Sequence, residues 1–270
     1  MLADVTIPQT VLCRNLPGVR EPCSRAAAAC SRSPAISDKQ AVARGQVFDT
    51  VAKSSYNGFY SQPPCGLGDL SLEGTFSACM ELGRAYDFEG EHSLQDARLA
   101  LRLFDLMAAL HHLDDRHRDL LYCAGLLHDI GYTEGYWEHH KTAYKLIMQA
   151  ELPGLTEREK QIVANVARYH RGAAPTVEHK GFAALDPDDR EAVTMLGAIL
   201  RLADGLDRSH KNAVRDLDVR LEDGRLLVVL VDCPLGCDSE IWAGEKKGRL
   251  FGEVFGVQVR VCPCPFDGAA

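Results

Sequence analysis

The chain has 270 residues, 46% of them hydrophobic and 25% charged, which suffices for a packed core and excludes disorder throughout. A formal net charge of −8 opposes general nucleic-acid binding and attachment to anionic membranes, both of which need a basic field. No stretch reaches the roughly 18 consecutive apolar residues of a membrane span, and the N-terminus lacks a secretory apolar core, so a soluble, cytoplasmic protein without a membrane partner is expected.

Residues 1–74 mix Pro, Ser, Gly, Cys and scattered Arg without a helical or strand period, which predicts a poorly ordered N-terminal segment. Arg14, Arg20, Arg25 and Arg32 lend it a faint transit-peptide composition, which Asp4, Glu21 and several prolines oppose. Only Asp38 to Val51 suits a short helix, and Tyr56-Asn57-Gly58 and Pro63-Pro64 interrupt the chain beyond it.

Residues 75–212 are predicted to be a helical domain, because apolar residues recur there three and four apart. His92 opens the first long helix, striped by Leu99, Leu103, Leu106, Leu110 and Leu113. A polar connection with His111, His112, Asp114, Asp115 and His117 reads as a solvated turn. The second helix, about Arg116 to Asp129, is nearly all apolar in its last turns, as a buried central helix would be. The third runs from His139 to Ala150 and is closed by Pro153-Gly154. Thr156 and Glu159 form a capping box for the fourth, through Ile162, Val163, Val166 and Tyr169 to His170. Asp186-Pro187 supplies an N-cap and a proline at the first helical position for the fifth, through Leu196, Ile199, Leu202 and Leu206.

The period then changes. Leu217 to Leu221 alternates, Asp223-Gly224 makes a tight hairpin turn, and Leu226 to Val231 returns as an apolar strand. Ser239 to Phe255 reads as a helix and Val257 to Val261 as a last strand. Residues 213–262 therefore form a small β-β-α-β unit, 263–270 a tail, and the fold class is mainly α. Ten cysteines in a chain of this size without a signal peptide are expected to be reduced. Cys233 and Cys237 bracket a turn at Pro234 and Gly236, and Cys262-x-Cys264 lies in a Pro-rich tail. Neither pair has the regular spacing of a zinc knuckle.

The chemistry concentrates on His128-Asp129, an adjacent imidazole and carboxylate at a helix end. His92 precedes this pair, and His139, His140, His170 and Asp204 come after it, each in or at the end of a predicted helix. If they converge, they form a site of N and O ligands suited to Zn, Mn, Fe or Mg, and the chain is a metal-dependent hydrolase. Between His139 and His140 as a ligand the residues alone do not decide.

The order His92, His128-Asp129, Asp204 resembles the HD-domain superfamily of metal-dependent phosphohydrolases, and His139 and His170 resemble the additions of its binuclear members. Counting forward to the apolar pair Leu146-Ile147, as in the HD-domain proteins that this chain resembles, favours His139 as a ligand, and His140 then orients a ligand or touches substrate. Leu126 to Gly131, His139-His140-Lys141, Glu151 to Gly154, Ala167 to Arg171 and Leu200 to Ser209 look like the C-terminal HD domain of the exopolyphosphatase/guanosine pentaphosphatase (Ppx/GppA) family. The likeness runs from about Thr75 to Val261, with Trp242-Ala243 and Leu250-Phe251 in the C-terminal unit, and implies an HD-domain helical bundle. Members of that family also carry actin-like domains that cleave polyphosphate, for which this chain has no room, so that mechanism is not expected here.

The resemblance implies one or two divalent ions. His92, His128, Asp129 and Asp204 would bind the first, and His139 and His170 the second, with Asp129 bridging the ions and the attacking water. It also implies in-line attack on a phosphoester or phosphoanhydride and, because the family's domain helps form a polyanion channel between subunits, a homodimer. A phosphate-containing partner, whether a nucleotide, an alarmone or polyphosphate, needs positive charge. Lys141, Arg168, Arg171, Arg201, Arg208, His210 and Lys211 lie near the proposed ligands in sequence. Arg171 and Arg208 are the first choices with Lys141, and salt bridges of Arg201 or Arg208 to Asp204 or Asp207 are the competing use. Two other functions compete with the hydrolase: a non-catalytic polyphosphate- or nucleotide-binding module, and a protein that docks to a separate actin-like subunit.

Overall fold

The computed structural model describes residues 70–86 and 90–264. The predicted helix at Asp38 to Val51, the arginines before it and the chain breaks after it lie outside the described residues. Helix α1 (Leu70–Ala85) is followed by α2 (Gly90–Leu106), the single-turn α3 (Ala108–His111) and α4 (Asp115–Leu127). A 3-10 turn at Ile130–Glu134 leads into α5 (His139–Gln149), α6 (Glu157–Arg168), the short α7 (Lys180–Ala183) and α8 (Pro187–Gly205). The fold is mainly α, with a small sheet at the C-terminal end.

Local chemistry sets most of these boundaries. Asp114 caps α4 by accepting from the His117 amide at 3.0 Å, and Thr156 and Glu159 form the reciprocal capping box of α6. The start of α8 departs from expectation. Asp186 is extended, but its carboxylate makes no capping hydrogen bond, so Pro187 and the acidic first turn of Asp188 and Asp189 start the helix instead. Arg158 holds Asp189 there with two contacts of 2.6 Å.

The expectation of a solvated turn at His111 fails as well. His112 is exposed, but His111 is buried, its Nε2 donates to the Phe104 carbonyl at 2.8 Å, and its Nδ1 accepts from the Leu113 amide at 2.9 Å. The ring folds back to satisfy the backbone where α2, α3 and the next loop meet.

In the C-terminal unit, β1 (Asp216–Glu222) pairs antiparallel with β2 (Leu226–Asp232), Val219 opposite Val229. Asp223 and Gly224 both have positive φ, 50° and 65°, as a two-residue hairpin turn of this hand requires. Helix α9 (Asp238–Phe255) then returns the chain to β3 (Gln258–Pro263), parallel to β2, and the sheet order is β1-β2-β3. Cys233 and Cys237 are joined in a disulfide across the turn before α9, contrary to the expectation of reduced thiols. The turn at Pro234 and Gly236 brings their Cα atoms to 5.9 Å, within disulfide reach. Cys79 and Cys123 are buried thiols in the helical core.

That core centres on Leu99, Leu103, Leu120, Leu121, Leu126, Leu127, Leu196 and Ile199, all fully buried. Two glycines let helices meet backbone to backbone. A Cβ on Gly125 would lie 2.8 Å from Cα of Ala97, which brings α4 onto α2, and one on Gly205 would lie 2.9 Å from Cα of Gly244, which brings α8 onto α9. Among the described residues no helix is long and apolar enough to cross a membrane.

Candidate metal centre

The close contact of α2 with α4 sets the first half of the site. His92 and Asp96 project from one face of α2, one turn apart, towards His128 at the end of α4. Their atoms converge: His92 Nε2 and His128 Nε2 each lie 3.5 Å from Asp96 Oδ2. Asp204, from the last turn of α8, brings Oδ1 to 4.0 Å from His92 Nε2. These four residues form one buried cluster able to hold an ion.

The second half starts at the 3-10 turn. A Cβ on Gly131 would sit 2.0 Å from the His139 carbonyl oxygen, so glycine alone lets this turn pack on the start of α5. His139 Nε2 thereby comes to 3.2 Å from His170 Nε2, and the two rings stack. Asp129 stands between the halves. Its Oδ2 faces His128 and His92 at 3.4 and 3.7 Å, and its Oδ1 faces His139 and His170 at 3.2 and 3.4 Å. His128, Asp129 and His170 form a second cluster of metal-compatible geometry.

All four histidines are turned the same way. Nδ1 of His128, His139 and His170 lies 2.7, 3.0 and 2.7 Å from the carbonyls of Gly125, Tyr136 and Ala167, and Nδ1 of His92 lies 2.9 Å from the Asp207 carboxylate. A proton on Nδ1 suits each of these acceptors and turns Nε2 into the cluster, where its lone pair would serve a bound ion, as in metal-bound histidines. Nε2 of His92 and His128, both oxygens of Asp96 and Oδ1 of Asp129 are buried without hydrogen-bond partners among the described residues. Buried carboxylates left in that condition are costly unless a cation joins them, so the donor set fits divalent metal.

The electrostatics agree with a concentrated acidic site. Burial opposes a charged imidazole at His92, but Asp96, the Asp207 hydrogen bond, Asp204 and Asp129 outweigh it and raise its pKa to about 9. Burial lowers the pKa of His128 and His170 and pushes Asp96 well above the carboxylate range. Burial works against ionised Asp129 and Asp204 too. His128, His139 and His170 nevertheless lower the pKa of Asp129, and Lys247 leads in lowering that of Asp204, to about 2.

The remaining predicted residues fall in different places. His139 faces the cluster, whereas the His140 ring is 6.0 Å from that of His139 and faces away into a cavity. Arg171 Nη1 lies 3.3 Å from both ring nitrogens of His139, and its guanidinium covers the Tyr136 ring. Lys141 pairs with Glu138 at the protein surface. Arg208 is exposed in the turn after α8 and makes no hydrogen bond or ion pair among the described residues, and Arg201 donates to the Gly172 carbonyl rather than pairing with Asp204 or Asp207.

Sequence reasoning passed over four contributors. Asp96 sits four residues after His92, in line with Leu99 and Leu103, and that spacing was a usable signal. Asp207 orients His92, Lys247 on α9 pairs with Asp204, and Tyr132 stacks on His139 with centroids 3.9 Å apart. Nothing in their local sequence marks these three.

No curated protein gives a match to this sequence. The family model described as Ppx/GppA phosphatase, domain III, matches residues 77–229, which include every side chain of the cluster except Lys247. That match spans more than half of the chain, and the protein belongs to the Ppx/GppA phosphatase domain III family.

Proposed function

We propose that the protein is an HD-type metal-dependent phosphohydrolase acting on a phosphoester or phosphoanhydride of a nucleotide, alarmone or polyphosphate. In this reading His92, Asp96, His128 and Asp204 would hold one divalent ion, His139 and His170 would hold a second, and Asp129 would serve both. The observation that carries it is the orientation of Asp129, whose two oxygens face the two histidine pairs within 3.2–3.7 Å, in a site where every histidine is turned Nε2-inward. The N and O donors suit Mn, Fe, Zn or Mg. Bound there, two such ions supply Lewis-acid stabilisation of a phosphoryl group.

The chain's own groups do the rest. Asp207 and the three carbonyls hold the imidazoles in register, and Arg171, beside His139, can offer its fork to phosphoryl oxygens as charge builds on them. Burial of the cluster keeps bulk water from screening these charges. Metal analysis of the purified protein, run with a hydrolysis screen of nucleotides and polyphosphate, tests the proposal. Metal-free protein that hydrolyses none of them, even after loading with Mn, would sink it.

One contact favours a second reading, a non-catalytic module that binds polyphosphate or a nucleotide. The Lys247 ammonium pairs with Asp204 Oδ2 and already neutralises part of the cluster. Polyphosphate affinity that survives Asp129→Ala without turnover in the native chain would support this reading over the hydrolase.

A further inference from the structure

We propose that the cavity between the start of α5 and the end of α6 is an anion subsite that takes a phosphate group other than the one at the metal centre. It has a volume of about 240 Å³ and is lined by Glu138, His140, Lys141, Arg168, Tyr169 and His179. That is smaller than the roughly 300–1,000 Å³ of pockets that enclose whole small molecules, so it fits a group and not a nucleoside.

Two groups in its lining, the Arg168 guanidinium and His140 Nδ1, make no hydrogen bond among the described residues. Arg168 rests against the rings of Tyr144 and Tyr169, each 5.7 Å from its guanidinium carbon, and makes no hydrogen bond or ion pair among the described residues. Nδ1 of His140 is buried without a partner. The ring of His140 reaches this position because Gly172, at φ 75°, carries no Cβ, and one built there would stand 2.9 Å from His140 Nε2. The Tyr169 hydroxyl and His179 Nδ1 hold each other at 2.8 Å and brace the far wall. The one carboxylate in the lining, Glu138, is already paired with Lys141. Burial and the charges of Arg168 and Lys141 lower the pKa of His179, against the opposing pull of Glu178, in keeping with a positive field in the cavity.

The cavity adjoins the centre. The His140 ring lies 6.0 Å from that of His139 and 6.4 Å from that of His170. Assigning the second phosphate to the substrate rests on the hydrolase reading, and makes that substrate a di- or polyphosphate rather than a monoester. The anion site itself does not depend on it.

Calorimetric titration of the full chain with orthophosphate and with tripolyphosphate, at fixed salt and with metal either loaded or stripped, tests the subsite. The variants are Arg168→Gln and Lys141→Gln, the latter at a half-exposed side chain where the fold is not at stake. Each variant is expected to weaken tripolyphosphate binding tenfold or more. Unchanged orthophosphate binding then assigns the cavity to the distal phosphate of a chain, and equal loss for both ligands assigns it to free phosphate. Wild-type affinity for both ligands in both variants overturns the subsite. Loss in the variants, found together with a metal-loaded native chain that hydrolyses neither tripolyphosphate nor a nucleotide, keeps the subsite and removes the hydrolase.

Discussion

Asp207 holds Nδ1 of His92 at 2.9 Å although 115 residues separate them in the chain. The carboxylate accepts the ring proton and so aims Nε2 at Asp96, Asp129 and Asp204. Outer partners of this kind typically contribute 10–100-fold to metal affinity. Asp207→Ala is therefore expected to weaken metal binding about 10–100-fold, with a stability loss of about 1–3 kcal/mol because Asp207 Oδ1 also accepts from the Asn212 amide at 2.9 Å. Asp207→Asn keeps an acceptor and should lose less. Calorimetric Mn titration checks both, and native affinity in the alanine variant would contradict the role.

Asp96 should show opposite signs with and without metal. Both of its oxygens are buried without hydrogen-bond partners among the described residues, which burdens the metal-free protein. Asp96→Asn is expected to raise the Tm of chelator-treated protein and to weaken metal binding tenfold or more. Scanning calorimetry with chelator and then with Mn separates the two effects. A lower Tm in the metal-free variant would mean that the carboxylate serves the fold instead.

Gly131 is needed for contact, not for flexibility. A methyl there would meet the His139 carbonyl at 2.0 Å, which is backbone and cannot swing aside. Gly131→Ala is expected to cost about 1–3 kcal/mol or more of stability by overpacking, and to move His139 away from Asp129. Denaturant unfolding measures the first effect, and a drop in bound metal per folded chain measures the second. Unchanged metal content would detach His139 from the centre.

Glu159 gives a pH test away from the site. The hydrogen bond from Arg116, at 2.6 Å, leads in lowering its pKa from 4.5 to about 2, against burial and with help from Thr156. A carboxylate depressed in the folded state adds stability above its unfolded pKa and loses it as pH falls through the folded value. The native protein should therefore lose stability between pH 4.5 and 2 more steeply than Glu159→Gln, which keeps the shape and has no charge to lose. Partial exposure makes the difference small. Denaturant unfolding across that pH range reads it, and parallel acid limbs would refute the assignment.

How far the site was legible depended on how local each signal was. The stripe through Leu99 and Leu103, extended back by helical spacing, passes through Asp96 and His92, so Asp96 was readable as an inward-facing carboxylate. His139 and not His140 faces the cluster, a placement that the residues alone left open and only the family resemblance indicated. His111 misled because its polar neighbours are solvated while its own ring turns inward to bond Phe104, and side-chain direction at a helix junction is set by packing. Asp207 and Lys247 had no local signature, because their roles exist only once α8 and α9 are packed together.

By itself the sequence determined the features that neighbouring residues decide. These include the capping box at Thr156 and Glu159, the hairpin turn at Asp223-Gly224, the helical period through α8 and the inventory of imidazoles and carboxylates. Only the tertiary structure decided which of them meet. The backbone contacts at Gly125, Gly131 and Gly205 set the angles and distances between helices, and those contacts depend on partners far away in the chain. Hence Asp129 stands between His92 and His128 on one side and His139 and His170 on the other. The physical reason is range: caps and turns are satisfied within a few residues, whereas a buried cluster forms where several helix faces exclude water together.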